Sequence, residues 1–281
     1  MKRETYVTAT LAVVLAVTAA KAALYLTTGS LAVLAELLDS VLDIVVSAAT
    51  LYAVRRSTEP PDREHPYGHG KFESLVAYTV SVFAVIAGAY LAWQLVERVV
   101  RGYTIRVTGG ALLLAGGLVA VDAALSLFNL YGYRRLGSLA LKANYVNYLG
   151  DTVRGLGVFI ALLAYRLGVK AADPIVTAAL LAYFAYEAAG LLRESARVLV
   201  DEAPPGIVEK AFSAALRVDG VLGVGRVRAR CMGDRPYVDM VVFVPRGISV
   251  DEAHRIADRV ERKVRERLGG AEVVVHVEPA R

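Results

Sequence analysis

The chain has 281 residues, 56% of them hydrophobic, and a mean hydropathy of +0.47. That is too apolar for an ordinary soluble domain of this length. The formal charge of +5 would suit a nucleic-acid partner, but in so apolar a chain the excess belongs to Lys and Arg beside membrane segments, and no nucleic acid is expected. A single cysteine, Cys231, excludes an intramolecular disulfide and a cysteine-rich metal site, and reads as a small filler in a soluble strand. Gln94 is the only glutamine, and asparagine occurs only at 129, 144 and 147, a scarcity that hints at a thermophile.

Lys2-Arg3 precedes an apolar run to about Leu26, long enough to span and unlike a short cleavable signal. Spanning stretches are predicted at about 5–27, 33–54, 74–97, 108–132, 140–166 and 173–196. Six spans put both termini on one side. Lys2, Arg3, Arg55, Arg56, Arg63, Lys71, Arg134, Arg135 and Lys142 fall on that side, against Arg98, Arg101, Arg106, Arg166 and Lys170 opposite. The bias favours cytoplasmic termini and a multi-pass protein of the plasma membrane. The turn Thr27-Thr-Gly-Ser30 is so short that the first two helices must form an antiparallel pair.

The second span carries Glu36, Asp39, Ser40, Asp43 and Ser47 among Val, Leu, Ile and Ala. Asp39 and Asp43, four apart, share one helix face. An ionised carboxylate near a bilayer centre costs roughly 2.5–3.5 kcal/mol on insertion scales, so two on one stripe need a partner. An ion path, a proton path or a buried salt bridge would each supply one. The fifth span repeats the device with Asn147 and Asp151. Two helices that each offer oxygen donors at i and i+4 can close a four-ligand cage, as metalloprotease helices do with other donors. For Asn147 and Asp151 alone, hydrogen bonding between helices is the alternative.

The second connection holds Pro60-Pro-Asp62-Arg-Glu64-His65-Pro-Tyr-Gly68-His69-Gly-Lys71. Two of the four histidines fall here, and Gly68 and Gly70 allow the tight turn that would let the imidazoles converge. With Asp62 or Glu64 they could hold a divalent metal; a polar loop with capping histidines is the alternative. Other intramembrane charges are Lys21, Asp122, Arg154 and Glu187. Lys21 can snorkel or pair, and Asp122 can pair with Lys21 or Arg154, whereas Glu187 has no evident partner. Arg154 lies one turn beyond Asp151, and its direction is open. Pointing into the cage, it would weaken metal binding.

At Asp201-Glu-Ala-Pro-Pro-Gly206 the composition turns soluble and amphipathic. A helix is predicted over Ile207–Arg217, strands over Gly223–Cys231 and Pro236–Val244 around a turn at 232–235, a helix over Val250–Leu268 and a strand over Ala271–Val277. The order αββαβ is that of a two-layer α+β domain. About 75 residues is marginal for a lone core, so pairing with a second copy is expected. The domains are thus 1–200, a six-helix transmembrane α-helical domain, and 201–281, a cytoplasmic α+β domain.

The residues resemble the cation diffusion facilitators, and the bacterial zinc/iron efflux branch most. The carriers are Thr28-Gly-Ser-Leu-Ala-Val-Leu-Ala, Leu38-Asp39-Ser40-Val-Leu-Asp43, His65-Pro-Tyr-Gly-His-Gly-Lys71-Phe-Glu-Ser74, Leu141-Lys-Ala-Asn-Tyr-Val-Asn147-Tyr-Leu-Gly-Asp151 and Val275-His276-Val-Glu278-Pro. The resemblance implies a homodimeric six-span divalent-metal/proton antiporter with a cytoplasmic ferredoxin-like domain, moving metal out of the cytoplasm. It puts Asp39, Asp43, Asn147 and Asp151 at the transport site and Asp62, His65 and His69 at a loop site. Lys71 and Asp201 fall at positions of a charge interlock between protomers near the membrane surface.

The departures matter. The zinc branch has His where this chain has Asn147. Four oxygen donors suit harder ions, and Asn resembles the manganese exporters, so the expected order is Mn²⁺, then Fe²⁺, then Zn²⁺. Relatives carry a binuclear zinc site in the soluble domain. Here His254, His276 and Glu278 stand at matching positions, but Gly225 and Val241 replace two other histidines, leaving at most one weak site. Like-charged carboxylates cannot all stay ionised without a cation, so entering metal should displace protons that return when it leaves. No Walker-type loop is present, and no enzyme activity or cofactor is expected. The competing reading is a metal-sensing or scaffolding membrane protein that kept the fold and lost transport.

Overall fold

The computed structural model describes residues 3–137, 139–233 and 235–280. Lys2 of the amino-terminal basic pair and Asp234 of the turn at 232–235 lie outside them. Contacts divide the chain into two compact units, Met1–Val46 with Val82–Ala189, and Ser47–Ser81 with Gly190–Arg281.

Six long helices come first: α1 (Arg3–Thr28), α2 (Leu31–Ser57), α3 (Lys71–Arg101), α4 (Gly109–Leu136), α5 (Leu139–Arg166) and α6 (Ala172–Leu199). Helix is the form that satisfies every backbone amide within one apolar segment. Four of them, over Lys71–Arg101, Gly109–Arg135, Leu141–Arg166 and Ala172–Leu199, are long and apolar enough to cross a membrane by length and composition. Among the described residues of α1, Val13–Thr28 is an apolar helical stretch, and α2 is interrupted by Glu36, Asp39 and Asp43. The expectation of six spans therefore has direct support at four helices. Leu113, Val153, Ile175 and Tyr186 stand exposed on these helices, an apolar surface that suits lipid and not water. Arginines close α2, α3, α4, α5 and α6 in their last turns, where they complement the helix dipole and mark the polar edge.

In the first unit the start of α2 is fixed most firmly. Ser30 through Glu36 are all buried. Leu31, Leu34 and Ala35 pack with Leu91 of α3, while Ala32 and Val33 join Val17, Leu24, Leu118 and Leu162. The orphan amides of that first turn go to a carboxylate. Asp173, wholly buried at the start of α6, accepts from the Leu31 amide at 3.2 Å, from Ser30 Oγ and from the Tyr103 hydroxyl at 2.6 Å. Burial, with Asp173 alongside, pushes the Tyr103 phenol well above its ordinary value. This clamp answers the unsatisfied donors of a helix N-terminus with a charged acceptor.

In the second unit, α7 (Ile207–Ala215), β1 (Gly223–Met232), β2 (Arg235–Val244), α8 (Val250–Arg267) and β3 (Glu272–Pro279) reproduce the expected αββαβ order. The sheet runs β1-β2-β3, with β1 antiparallel and β3 parallel to β2. A parallel neighbour needs a crossover, which α8 provides. Ala211 and Ala215 of α7, Val238 and Val242 of β2, and Val260 and Val264 of α8 form its core. The hydrophobic face of α8 begins at a Ser249 cap, whose hydroxyl accepts from the Glu252 amide.

Candidate metal centre

The i, i+4 spacing on α2 does what helix geometry requires, placing Asp39 and Asp43 one above the other. Asp151 of α5 faces them. Each of the three offers a carboxylate oxygen within 4.8 Å of the other two. The Asn147 side chain, one turn before Asp151, hydrogen-bonds to Asp43. The four residues named from the sequence as a transport site thus lie together, in the first unit. Asp151 is buried, and Asp39 and Asp43 are half-buried. A triad of oxygens at this spacing can share one cation of the kind that takes carboxylate and amide ligands.

Arg154 points into the same cluster. Its Nη2 donates to Asp39 Oδ2 at 2.8 Å and also to Asp151 Oδ1. Its Nε lies 3.7 Å from Glu36 Oε1, and its guanidinium carbon is 5.5 Å from the centre of the Tyr183 ring. The orientation that the sequence left open is therefore settled: α5 delivers a permanent positive charge among the acids.

The remaining charges also find places. Lys21 Nζ donates to Glu36 Oε2 and to Ser40 Oγ, each at 2.9 Å. Asp122 shares a small cavity with Lys21 and Glu36. Glu187, for which no partner was evident, accepts from the Tyr183 hydroxyl at 2.5 Å. The Lys21–Glu36 pair had a signal in the sequence. Both residues stand seven positions from the Thr28–Gly29 bend, so an antiparallel hairpin sets them at one depth. Asp173 had a weaker signal, an acid immediately before Pro174 at a helix start.

The loop residues Asp62, His65 and His69 converge in the second unit, each with a ligand atom within 4.8 Å of the others. Asp62 Oδ1 accepts from the backbone amides of His65 at 2.6 Å and Glu64 at 2.9 Å. The His65 amide above all holds the Asp62 carboxyl below the usual carboxylate range, so it is a ready anionic ligand. The imidazole centroids are 4.4 Å apart. Neither ring nitrogen of buried His69 makes a hydrogen bond among the described residues, although Nε2 lies 3.4 Å from Asp62 Oδ2, an arrangement that a shared metal ion would complete. Glu64 is not in this cluster. The adjoining turn needs Gly70: a Cβ there would meet the Met232 carbonyl oxygen at 2.7 Å.

Lys71 and Asp201, named from the sequence as an interlock, pair within one chain at 2.7 Å, and Arg230 reaches the other Asp201 oxygen at 3.4 Å. The Lys71 ammonium, with Arg230 beside it, draws the Asp201 carboxyl below its ordinary value. In the carboxy-terminal α/β domain His254, His276 and Glu278 do not converge within one chain. His254 sits beside Asp258 at 3.7 Å and His276 beside Glu278 at 3.6 Å, and no three-ligand cluster forms around them among the described residues. Val241 stands in register with His276, and a Cβ on Gly225 would lie 3.2 Å from the Val241 Cβ. Positions 225, 241 and 276 are thus neighbours on the three strands, and two of them carry no donor.

Comparison with known proteins agrees with a helical membrane domain followed by a small α/β domain. Residues 7–200 match the family described as the cation efflux transmembrane domain, and residues 203–280 match the cation efflux protein cytoplasmic domain. The chain belongs to the cation efflux family, the cation diffusion facilitators, whose members are transporters and not enzymes. It is similar to the cation-efflux pump FieF of Klebsiella pneumoniae, 29% identical over 256 residues that cover 90% of this chain and 85% of the relative. The pump of the same name from Serratia proteamaculans is 30% identical over 255 residues, covering 90% and 84%. Among solved structures, MamM-CTD 215-293 is 30% identical, covers 27% of this chain and 96% of its own, and has a TM-score of 0.26. The protein is a multi-pass membrane protein of cation efflux.

Proposed function

We propose that this protein exports a divalent transition metal from the cytoplasm in exchange for protons, carrying it at Asp39, Asp43, Asn147 and Asp151. The observation that carries this reading is the meeting of three carboxylates from α2 and α5 within 4.8 Å, with Asn147 bonded to one of them. Carboxylates so close repel one another when ionised, and either protons or a metal relieve that repulsion. Exchange of one for the other at a single site is the physical basis of antiport. It needs no ATP, and the site moves between two faces of the membrane by alternating access.

All four donors are oxygen, so the reading favours Mn²⁺, with Fe²⁺ next and Zn²⁺ third. Six spans with cytoplasmic termini, a transport domain over 1–200 and a cytoplasmic dimerisation domain over 201–281 complete the proposal. The small core of the latter and its match to the family's cytoplasmic domain support a homodimer. Asp62, His65 and His69 form a second metal site at the membrane surface. His254, His276 and Glu278 form at most one weak site, which a second copy would have to complete.

Arg154 favours a second reading, a protein that kept the fold and lost transport, because a fixed positive charge among the acids opposes a metal ion. Proteoliposomes separate the two. Metal accumulation under an imposed pH gradient, lost with Asp43→Ala, supports transport; no accumulation in the native protein supports the second reading.

A further inference from the structure

We propose that Arg154 is a tethered cation that competes with the metal for Asp39 and Asp151 and yields to it by transferring to Glu36. The proposal rests on the reading of Asp39, Asp43, Asn147 and Asp151 as the transport site.

The geometry supplies both ends of the movement. At one end, a single nitrogen, Nη2, donates to Asp39 at 2.8 Å and to Asp151, two of the three acids in the cluster. A guanidinium does not lose its proton in a protein, so this competitor, unlike a bound proton, cannot dissociate from the site. A metal drawing on Asp39 and Asp151 would stand beside that charge, and mutual repulsion forces one of them to move. At the other end, Glu36 Oε1 and Arg154 Nε are both buried and both lack a hydrogen-bond partner among the described residues, and only 3.7 Å separates them. A buried unmatched donor facing a buried unmatched acceptor defines where the guanidinium goes when it leaves the cluster. The other Glu36 oxygen is already held by Lys21 at 2.9 Å, so the receiving carboxylate does not have to be repositioned. The Tyr183 ring, 5.5 Å from the guanidinium carbon, borders the path and stabilises the cation along it.

The consequence for transport is a bounded affinity. A carrier must bind its ion well enough to load and weakly enough to release. Three acids and an amide in an apolar surrounding would hold a divalent ion tightly. Arg154 lowers that grip and takes the ion's place at two of its ligands as it departs.

The test uses the full-length protein, purified with His65→Ala and His69→Ala to silence the loop site and titrated with MnCl₂ by calorimetry. Arg154→Met is expected to bind Mn²⁺ about tenfold more tightly than this parent, within the usual range of coupling between competing ligands. Glu36→Gln is expected to weaken binding in the parent and to have no effect once Arg154→Met is present, a non-additivity that a merely structural role would not produce. Arg154→Met binding equal to or weaker than the parent, while Asp43→Ala still abolishes the parent's binding, overturns the inference and leaves the transport site standing. Binding by the parent that survives Asp43→Ala defeats the reading of the site itself, and the inference with it. Infrared difference spectra of the parent on adding Mn²⁺ give a readout that does not depend on the stability of Arg154→Met. A guanidinium band change that is absent in Arg154→Lys is expected, and its absence in the parent overturns the proposal.

Discussion

Lys21 Nζ lies 2.9 Å from Glu36 Oε2, and both side chains are almost wholly buried. This pair divides the acids of α2 into two kinds. Glu36 is paired first with its neighbour on α1, whereas Asp39 and Asp43 face Asp151, with Arg154 shared between Asp39 and Asp151. Removing one partner of a buried pair leaves an uncompensated charge and costs about 3–5 kcal/mol. Lys21→Met is therefore expected to lower the melting temperature in detergent sharply. Lys21→Met combined with Glu36→Leu, which removes both charges, is expected to recover most of the loss. A single variant as stable as the native protein would contradict the assignment.

Asp173 predicts a second stability effect. It is the acceptor for the first turn of α2 and for Tyr103. Asp173→Ala strands several buried donors at about 1–3 kcal/mol each, so the loss should exceed that of an ordinary cap deletion. Asp173→Asn keeps an acceptor and should lose less. Thermal unfolding of the two variants side by side checks the ranking.

The link between Lys71 and Asp201 makes stability depend on pH in one direction. The Lys71 hydrogen bond depresses the folded pKa of Asp201. A group depressed on folding contributes stability above its unfolded value, about 3.9, and loses that contribution as pH falls through the lower folded value. Asp201→Asn should therefore be less stable than the native protein near neutral pH, and the gap should close below about pH 4. Melting temperatures of both proteins across that range measure it; a gap that widened in acid would contradict the pairing.

Metal preference follows from donor chemistry. Asn147→His replaces an amide oxygen with an imidazole nitrogen, which suits Zn²⁺ better than Mn²⁺. The metal content of purified native protein against Asn147→His, after equilibration with equal Mn²⁺ and Zn²⁺, should shift towards zinc. The loop residues are not ligands of the carrier site in this account, so His69→Ala should weaken metal-driven proton movement, whereas Asp43→Ala or Asp151→Ala should abolish it. Equal losses from all three would reverse that ranking.

Much of this was legible in the chain itself, for identifiable reasons. Helix positions follow from hydropathy, and the αββαβ order from the change of period after Asp201. The helices overrun the apolar stretches, as α2 does in reaching Leu31 and Ser57, because the polar ends stay helical beyond the apolar run. Asp39 and Asp43 could be paired by spacing alone. That Asp151 faces them depends on how α5 packs on α2, which spacing within one helix does not encode. The same holds for Arg154: its position relative to Asp151 is fixed by helix geometry, but its bond to Asp39 is a tertiary contact. The parallel pairing of β3 with β2 was hidden because αββαβ fixes the order of elements and not which strand edge β3 joins. In the carboxy-terminal domain the absence of donor side chains at Gly225 and Val241 was readable, whereas their adjacency to His276 in the sheet is seen only in the fold.

The central claim is that the cluster of α2 and α5 carries a divalent metal against protons. Reconstituted vesicles with an internal pH indicator test it most directly, with Mn²⁺ added outside and proton movement recorded together with metal uptake. The account predicts coupled Mn²⁺ and proton fluxes in opposite directions, both lost in Asp43→Ala. Mn²⁺ flux with no proton movement, or equal fluxes in native and Asp43→Ala protein, would contradict it.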